Sequence, residues 1–131
     1  MGEGGIYRCR NCGFESVEIW FGCGFLGNPD NSAIRSQILR GEYGDKPKGI
    51  LEMEPNAHFY ADNIAYRCRC GNFDSKVAVH IFSSDGRKLY RPMMRCRRCG
   101  KLMRAIRDPP GYQDCPKCGR PLVFELTVLW D

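Results

Sequence analysis

Cys96-Arg97-Arg98-Cys99-Gly100 and, after 15 intervening residues from Cys99, Cys115-Pro116-Lys117-Cys118-Gly119 decide how this chain is read. Each is a cysteine pair closed by a glycine. Two more pairs have the same form, Cys9-Arg10-Asn11-Cys12-Gly13 and the shorter Cys68-Arg69-Cys70-Gly71, so eight of the nine cysteines are paired in sequence. A turn that grips a divalent cation must set two sulfurs on one face, ~2.3 Å from the ion. The closing glycine suits a left-handed backbone that a Cβ atom disfavours. Pro116 presets φ early in such a turn. Two knuckles supply four thiolates, the tetrahedral set that Zn²⁺ takes in a structural site. The sequence therefore predicts two Zn²⁺ ions held by Cys9, Cys12, Cys68, Cys70, Cys96, Cys99, Cys115 and Cys118.

Spacing suggests the pairing. The pattern C-x2-C-x15-C-x2-C joins the third knuckle to the fourth. By elimination, Cys9 and Cys12 join Cys68 and Cys70 across 55 residues, which the slow growth of loop-closure entropy allows. A crossed arrangement, first knuckle with third or fourth, is the alternative. A disulfide framework fits less well, because nine is odd and Met1-Gly2-Glu3-Gly4-Gly5 has no apolar signal region. Reduced thiolates in a cytoplasmic protein are the expectation. A redox C-x-x-C normally opens a helix after a strand, whereas strand-like segments flank these pairs.

The 131 residues suffice for one domain or two small ones, and 43% hydrophobic composition indicates a globular chain. Short segments build a thin core, which metal would reinforce. No apolar run approaches the ~20 residues of a membrane helix. The formal charge is +5. Arg8, Arg10, Arg67, Arg69, Arg95, Arg97 and Arg98 flank the cysteines and are read as offsetting thiolate charge. Residues 1–86 carry a net −2 and residues 87–120 a net +9. Arg87, Lys88, Arg91, Lys101, Arg104, Arg107, Lys117 and Arg120 are the surplus, and such a field favours nucleic acid or an acidic protein surface.

Along the chain, Ile6–Cys9 and 14–21 read as a hairpin around the first knuckle. Asn28-Pro29-Asp30-Asn31 signals a helix start, Ile34 and Ile38 mark one apolar helical face, and Gly41 ends it. Residues 48–54 read as a second short helix or a strand, ended by Pro55. Residues 58–66, 75–82, 89–95, 102–106 and 122–130 read as extended. Asp108-Pro109-Pro110-Gly111 is a turn. The expected fold is mainly β, small and metal-stabilised. Two zinc ribbons are placed at 1–86, with a helical insert at about 25–58, and at 87–131.

Other residues carry weaker readings. Cys23, between two glycines, is either a reactive thiol or a small buried side chain. His58 and His80 read as packed or surface residues. Glu52, Glu54 and Asp62 lack a companion nucleophile and read as a solvated face. Tyr90, Tyr112 and Phe124 interleave with the basic stretch, as a stacking platform for single strands would, or serve as core. Trp130 is read as closing the last sheet. No catalytic residue is identified, and the chain is not read as an enzyme.

The segments Cys96–Gly100 and Cys115–Gly119 resemble the paired knuckles of zinc ribbons and rubredoxins, over about residues 93–128 and less closely over 5–20 with 64–82. The whole chain also resembles small bacterial tandem-ribbon proteins. The resemblance implies that Cys96, Cys99, Cys115 and Cys118 are ligands. Rubredoxins have a longer stretch between knuckles and bind iron. RNA-cleavage-stimulating ribbons carry an Asp-Glu pair at the hairpin tip, which Asp108–Tyr112 lacks. The resulting expectation is a binding module that docks nucleic acid or an acidic protein through the basic second ribbon. The alternatives are a rubredoxin-like iron electron carrier and a thiol sensor using Cys23.

Overall fold

The structure, a computed structural model, describes residues 2–22, 28–107 and 110–130, with Trp130 by its backbone alone. Cys23 and the Asp108-Pro109 half of the expected turn lie outside the described residues. Seven strands and two helices follow in the order β1 (Gly2–Arg8), β2 (Ile19–Gly22), α1 (Ser32–Leu39), α2 (Asp45–Met53), β3 (His58–Arg67), β4 (Phe73–Phe82), β5 (Lys88–Tyr90), β6 (Arg104–Ala105) and β7 (Val123–Trp130). The strand order is β5-β4-β3-β2-β1-β7, with β6 on β3. No helix among the described residues is long and apolar enough to cross a membrane.

The chain divides into two compact units, and neither is a continuous half. One comprises residues 1–22, 63–76 and 93–131, and the other residues 23–62 and 77–92. This is not a sequential division at residue 86. The long strands β3 and β4 each pass from one unit into the other.

In the first unit, β1 lies between β2 and β7. Gly2–Gly5 pairs with Ile19–Gly22, and Gly2–Arg8 pairs antiparallel with Val123–Trp130, interrupted by a bulge between Gly4 and Gly5. A glycine-rich segment is a poor strand by propensity, but here close approach requires it. A Cβ on Gly5 would lie 2.3 Å from the Glu125 carbonyl oxygen and 2.6 Å from the Phe124 ring. The core of this unit gathers Tyr7, Ile19, Phe21, Phe73 and Leu122 around the buried Cys9 and Cys115. The rings of Tyr7 and Phe21 meet the Phe124 ring edge-on at 5.2 and 5.6 Å, geometries that add to simple burial. A second cluster packs Tyr66, Met94 and Met103 around Cys68 and Cys96. The extended segment expected at 14–21 is strand only from Ile19. Before it, Glu15 makes a single bridge to Arg8.

In the second unit, α1 starts where the sequence indicated. The Asn31 side-chain oxygen accepts from the Ala33 and Ile34 amides at 2.9 and 3.3 Å, capping two otherwise unpaired donors. Gly41, at φ 80°, follows its C-terminus. The second helix begins earlier than expected, at Asp45, because Pro47 falls in the first turn, where its missing N–H has no helical partner anyway. Ile34, Ile38 and Leu51 from the helices pack with Phe59, Ala61, Val79 and Ile81 from β3 and β4.

Candidate metal centres and a basic cleft

The four glycine-closed turns share one construction. In the first, the Cys9 amide donates to the Phe14 carbonyl at 2.8 Å and the Gly13 amide donates back to Cys9 at 3.0 Å. The same two bonds recur as Cys96 to Lys101 and Gly100 to Cys96, both 2.8 Å, and as Cys115 to Arg120 and Gly119 to Cys115, 2.7 and 2.9 Å. The short knuckle repeats them with one residue fewer, Cys68 to Asn72 at 2.8 Å and Gly71 to Cys68 at 3.0 Å. Gly13, Gly71, Gly100 and Gly119 have φ between 77° and 95°, the region that favours glycine. In every knuckle the first cysteine is buried and the second exposed.

The knuckles combine in a nested order. Cys9 and Cys12 meet Cys115 and Cys118, and Cys68 and Cys70 meet Cys96 and Cys99. This corrects the pairing expected from spacing, first with second and third with fourth, and with it the two consecutive ribbons built on that pairing. The cause is strand pairing. The register Arg8↔Val123 between β1 and β7 brings the turn after Arg8 to the turn before Val123. On β3, Arg67 pairs with Arg104 of β6, and Arg95 bridges Leu102, so the Cys96 knuckle arrives at the end of β3 where Cys68 follows. The 15 residues between Cys99 and Cys115 therefore connect the two centres instead of spanning one.

All four sulfurs of each group lie within 4.8 Å of one another. Contacts between knuckles are 3.5 Å for Cys9–Cys118 and for Cys12–Cys115. They are 3.3 Å for Cys68–Cys99 and 3.7 Å for Cys70–Cys96. A tetrahedron with ~2.3 Å metal–sulfur bonds has edges of about 3.8 Å, whereas a disulfide needs ~2.05 Å. The spacing fits a shared ion and not covalent pairs. Backbone amides support the sulfurs. Cys12 N–H donates to Cys9 Sγ at 3.5 Å, Arg98 N–H to Cys96 Sγ at 3.3 Å and Lys117 N–H to Cys115 Sγ at 3.4 Å. The Asn72 side chain adds a donor to Cys96 Sγ at 3.6 Å. The sequence reading missed that role, although Asn72 directly follows Gly71 of the short knuckle.

Four sulfurs this close cannot all ionise without a cation. The Arg120 amide, outweighing burial and helped by the sulfur contacts, brings Cys118 down to about 6. Cys12 moves the other way, to about 12: the Phe14 amide lowers it, but desolvation and the Cys115, Cys9 and Cys118 sulfurs prevail. A divalent cation removes this conflict by favouring thiolate at every position. The two centres touch through their knuckles. A Cβ on Gly71 would lie 2.7 Å from Cβ of Pro116.

The arginines beside the cysteines divide. Arg8 pairs with Glu15 and Glu125 at 3.1 and 3.5 Å, and Arg97 with Asp74 at 3.3 Å, so both answer carboxylates. Arg67 and Arg69 instead line a cleft of about 820 Å³ with Lys101 and Arg104. Its wall runs from Cys68, a member of the second cysteine cluster, through 101–106 to 112–114. Arg67 lies 5.2 Å from the Phe73 ring centre and donates to Gln113 Oε1 at 3.2 Å. Among the described residues, Arg69, Lys101 and Arg104 form no ion pair.

The eight surplus cations expected to act together do not share one unit. Lys101, Arg104, Arg107, Lys117 and Arg120 fall in the first unit, and Arg87, Lys88 and Arg91 in the second. There Arg87 pairs with Asp85 at 3.3 Å and Lys88 lies 5.7 Å from the Phe82 ring centre. The histidines belong to no metal group among the described residues. His58 pairs with Asp30 at 3.0 Å. His80 pairs with Asp62 at 2.9 Å and stacks on Tyr60, ring centres 4.6 Å apart. Asp62, read as solvated, thus has a specific partner. Phe124 is half-buried and packs against the core, whereas Tyr112 is 70% exposed beside the cleft. No protein-family model matches the chain, and neither a curated protein nor a solved structure matches it.

Proposed function

We propose that this chain is a zinc-stabilised, non-enzymatic module that binds nucleic acid through the cleft beside its second metal centre. The zinc reading is supported by the ligand chemistry. Four thiolates fill a tetrahedral shell and leave no open position for substrate, the mark of a structural site. The apolar cluster around Cys68 and Cys96 is small, so ion binding would supply much of the folding free energy there.

The observation that carries the partner is the convergence of Arg67, Arg69, Lys101 and Arg104 on one concave surface. Guanidinium groups suit phosphate through paired, charge-assisted hydrogen bonds. Arg67 is already held in place by Gln113 and Phe73, which lowers the ordering cost of such contacts.

The test measures metal and binding on the same preparation. Elemental analysis should find two zinc ions per chain, and iron with a reversible redox response would instead favour the electron carrier. If four cations each neutralise a phosphate, affinity for a mixed nucleic-acid pool should fall about 50- to 150-fold between about 50 and 200 mM salt. Arg69→Glu with Arg104→Glu should abolish binding without loss of metal. Salt-independent binding, or an unaffected double variant, refutes the proposal. Capture of acidic proteins alone would assign the surface to the other partner class.

A further inference from the structure

We infer that the cleft accommodates a single strand, with a base laid on Tyr112 and its neighbouring phosphates on Arg67, Arg69, Lys101 and Arg104. This rests on the reading that the cleft binds nucleic acid. Three observations carry it beyond that reading.

The first is the placement of apolar surface. Tyr112 is 70% exposed and Leu102 53% exposed, and both line the same cleft as the four cations. Among the described residues, the Tyr112 ring has no aromatic partner. A base has two apolar faces and an adjoining charge, which matches this mixture. A bare phosphate or an acidic side chain would leave the ring unused.

The second is that the backbone carrying the ring is held on both sides. The Tyr7 hydroxyl donates to the Gly111 carbonyl and the Leu122 amide to the Gln113 carbonyl, each at 2.8 Å. Arg67 donates to Gln113 Oε1 at 3.2 Å, which ties the segment of the ring to one of the four cations. A pre-set segment presents its ring with less ordering cost than a mobile one.

The third is shape. Major-groove readers insert a helix or a two-stranded ribbon. Both described helices belong to the other unit, and the cleft is built from loop segments, the two-residue β6 and Arg67 at the end of β3. Its cations sit in a concavity, whereas a duplex presents phosphates on a convex outer surface. A concave, positively charged groove with an aromatic platform is how unpaired strands are bound without base-edge reading.

Fluorescence anisotropy on the metal-loaded full chain tests this. The probes are a labelled oligothymidylate of about 12 nucleotides and a hairpin duplex with the same number of phosphates. The single strand should bind at least about tenfold more tightly. Tyr112→Ala should weaken it about 5- to 150-fold, the range for one stacked base, and Tyr112→Phe should retain it. Each variant should keep its metal content, because the side chain replaced is largely exposed. Equal binding of both probes, with Tyr112→Ala inert but Arg104→Glu disruptive, overturns the single-strand inference and leaves nucleic-acid binding standing. Failure of both probes to bind overturns the underlying reading as well.

Discussion

Nested metal pairing makes a prediction that sequential pairing reverses. Consider two quadruple variants. One replaces Cys9, Cys12, Cys115 and Cys118 by serine, and the other replaces Cys96, Cys99, Cys115 and Cys118. In the first, one centre loses all its ligands while Cys68, Cys70, Cys96 and Cys99 keep theirs, with sulfurs still 3.3 and 3.7 Å apart across the knuckles. One metal should remain per chain. In the second, each centre is left with two thiolates and neither should hold metal. Intact four-thiolate sites bind with about 10–16 kcal/mol of apparent free energy, enough to survive a competing chromogenic chelator that strips a two-thiolate remnant. The closed loops differ too. The first centre closes 102 residues between Cys12 and Cys115, and the second closes 25 between Cys70 and Cys96. By the chain-entropy relation for a cross-link these correspond to about 4.7 and about 3.5 kcal/mol, so losing the first centre should destabilise the chain more by about 1 kcal/mol. Native mass spectrometry counts the ions. Alkylation mapping during stepwise chelation of the unmodified chain should expose Cys9, Cys12, Cys115 and Cys118 as one set. Zero metal in the first variant with one in the second, or thiols released in the sets 9, 12, 68, 70 and 96, 99, 115, 118, would refute the reasoning.

Two further outcomes probe the β1 region. Gly5→Ala should destabilise the metal-loaded chain by about 1–3 kcal/mol, read as a lower denaturant midpoint, because the added carbon meets the Glu125 carbonyl at 2.3 Å; an unchanged midpoint would contradict the β1–β7 register. Burial pushes the Tyr7 phenol up to about 12, against the opposing charge of Arg67. Its neutral form is thus favoured by folding, so its contribution is complete below pH ~10 and is lost as pH rises towards 12. Tyr7→Phe should cost about 1 kcal/mol below pH 10, through loss of the bond to the Gly111 carbonyl at 2.8 Å. That deficit should shrink across the alkaline window in denaturant titrations, and a constant deficit would contradict the assignment.

Local features were legible in the residues themselves. The knuckles follow from cysteine spacing and terminal glycines, the start of α1 from Asn31, and β4 from the alternation around Val77, Val79 and Ile81. What the sequence hid was non-local. Gly2–Gly5 reads as a weak strand by propensity, yet its missing side chains let β7 approach, and that contact aligns the first knuckle with the last. Spacing rules reward short loops, but loop-closure entropy rises too slowly with length to forbid a long one. Strand register therefore overrode the attractive 15-residue separation. The helical insert was visible in Ile34 and Ile38, whereas its inclusion with residues 77–92 in one unit depends on β3 and β4 each belonging in part to both units.

The same regrouping changes what the charge means. Read in sequence, the excess lies in residues 87–120. Sorted by unit, the part with the two cysteine clusters has 13 Lys/Arg against 8 Asp/Glu, a net of +5, and the other part has 7 of each. The whole formal excess therefore belongs to the unit that holds the eight clustered cysteines. Eight thiolates with two divalent ions contribute −4, leaving about +1 on that unit. A net charge so small gives little long-range attraction for a polyanion. Binding must then depend on where the cations stand. Arg8 and Arg97 are engaged by carboxylates, whereas Arg69, Lys101 and Arg104 face the cleft without an ion pair among the described residues. Reversing a cleft cation should thus matter far more than reversing Arg91, although both changes alter net charge equally. A response that followed total charge alone would detach the function from the cleft.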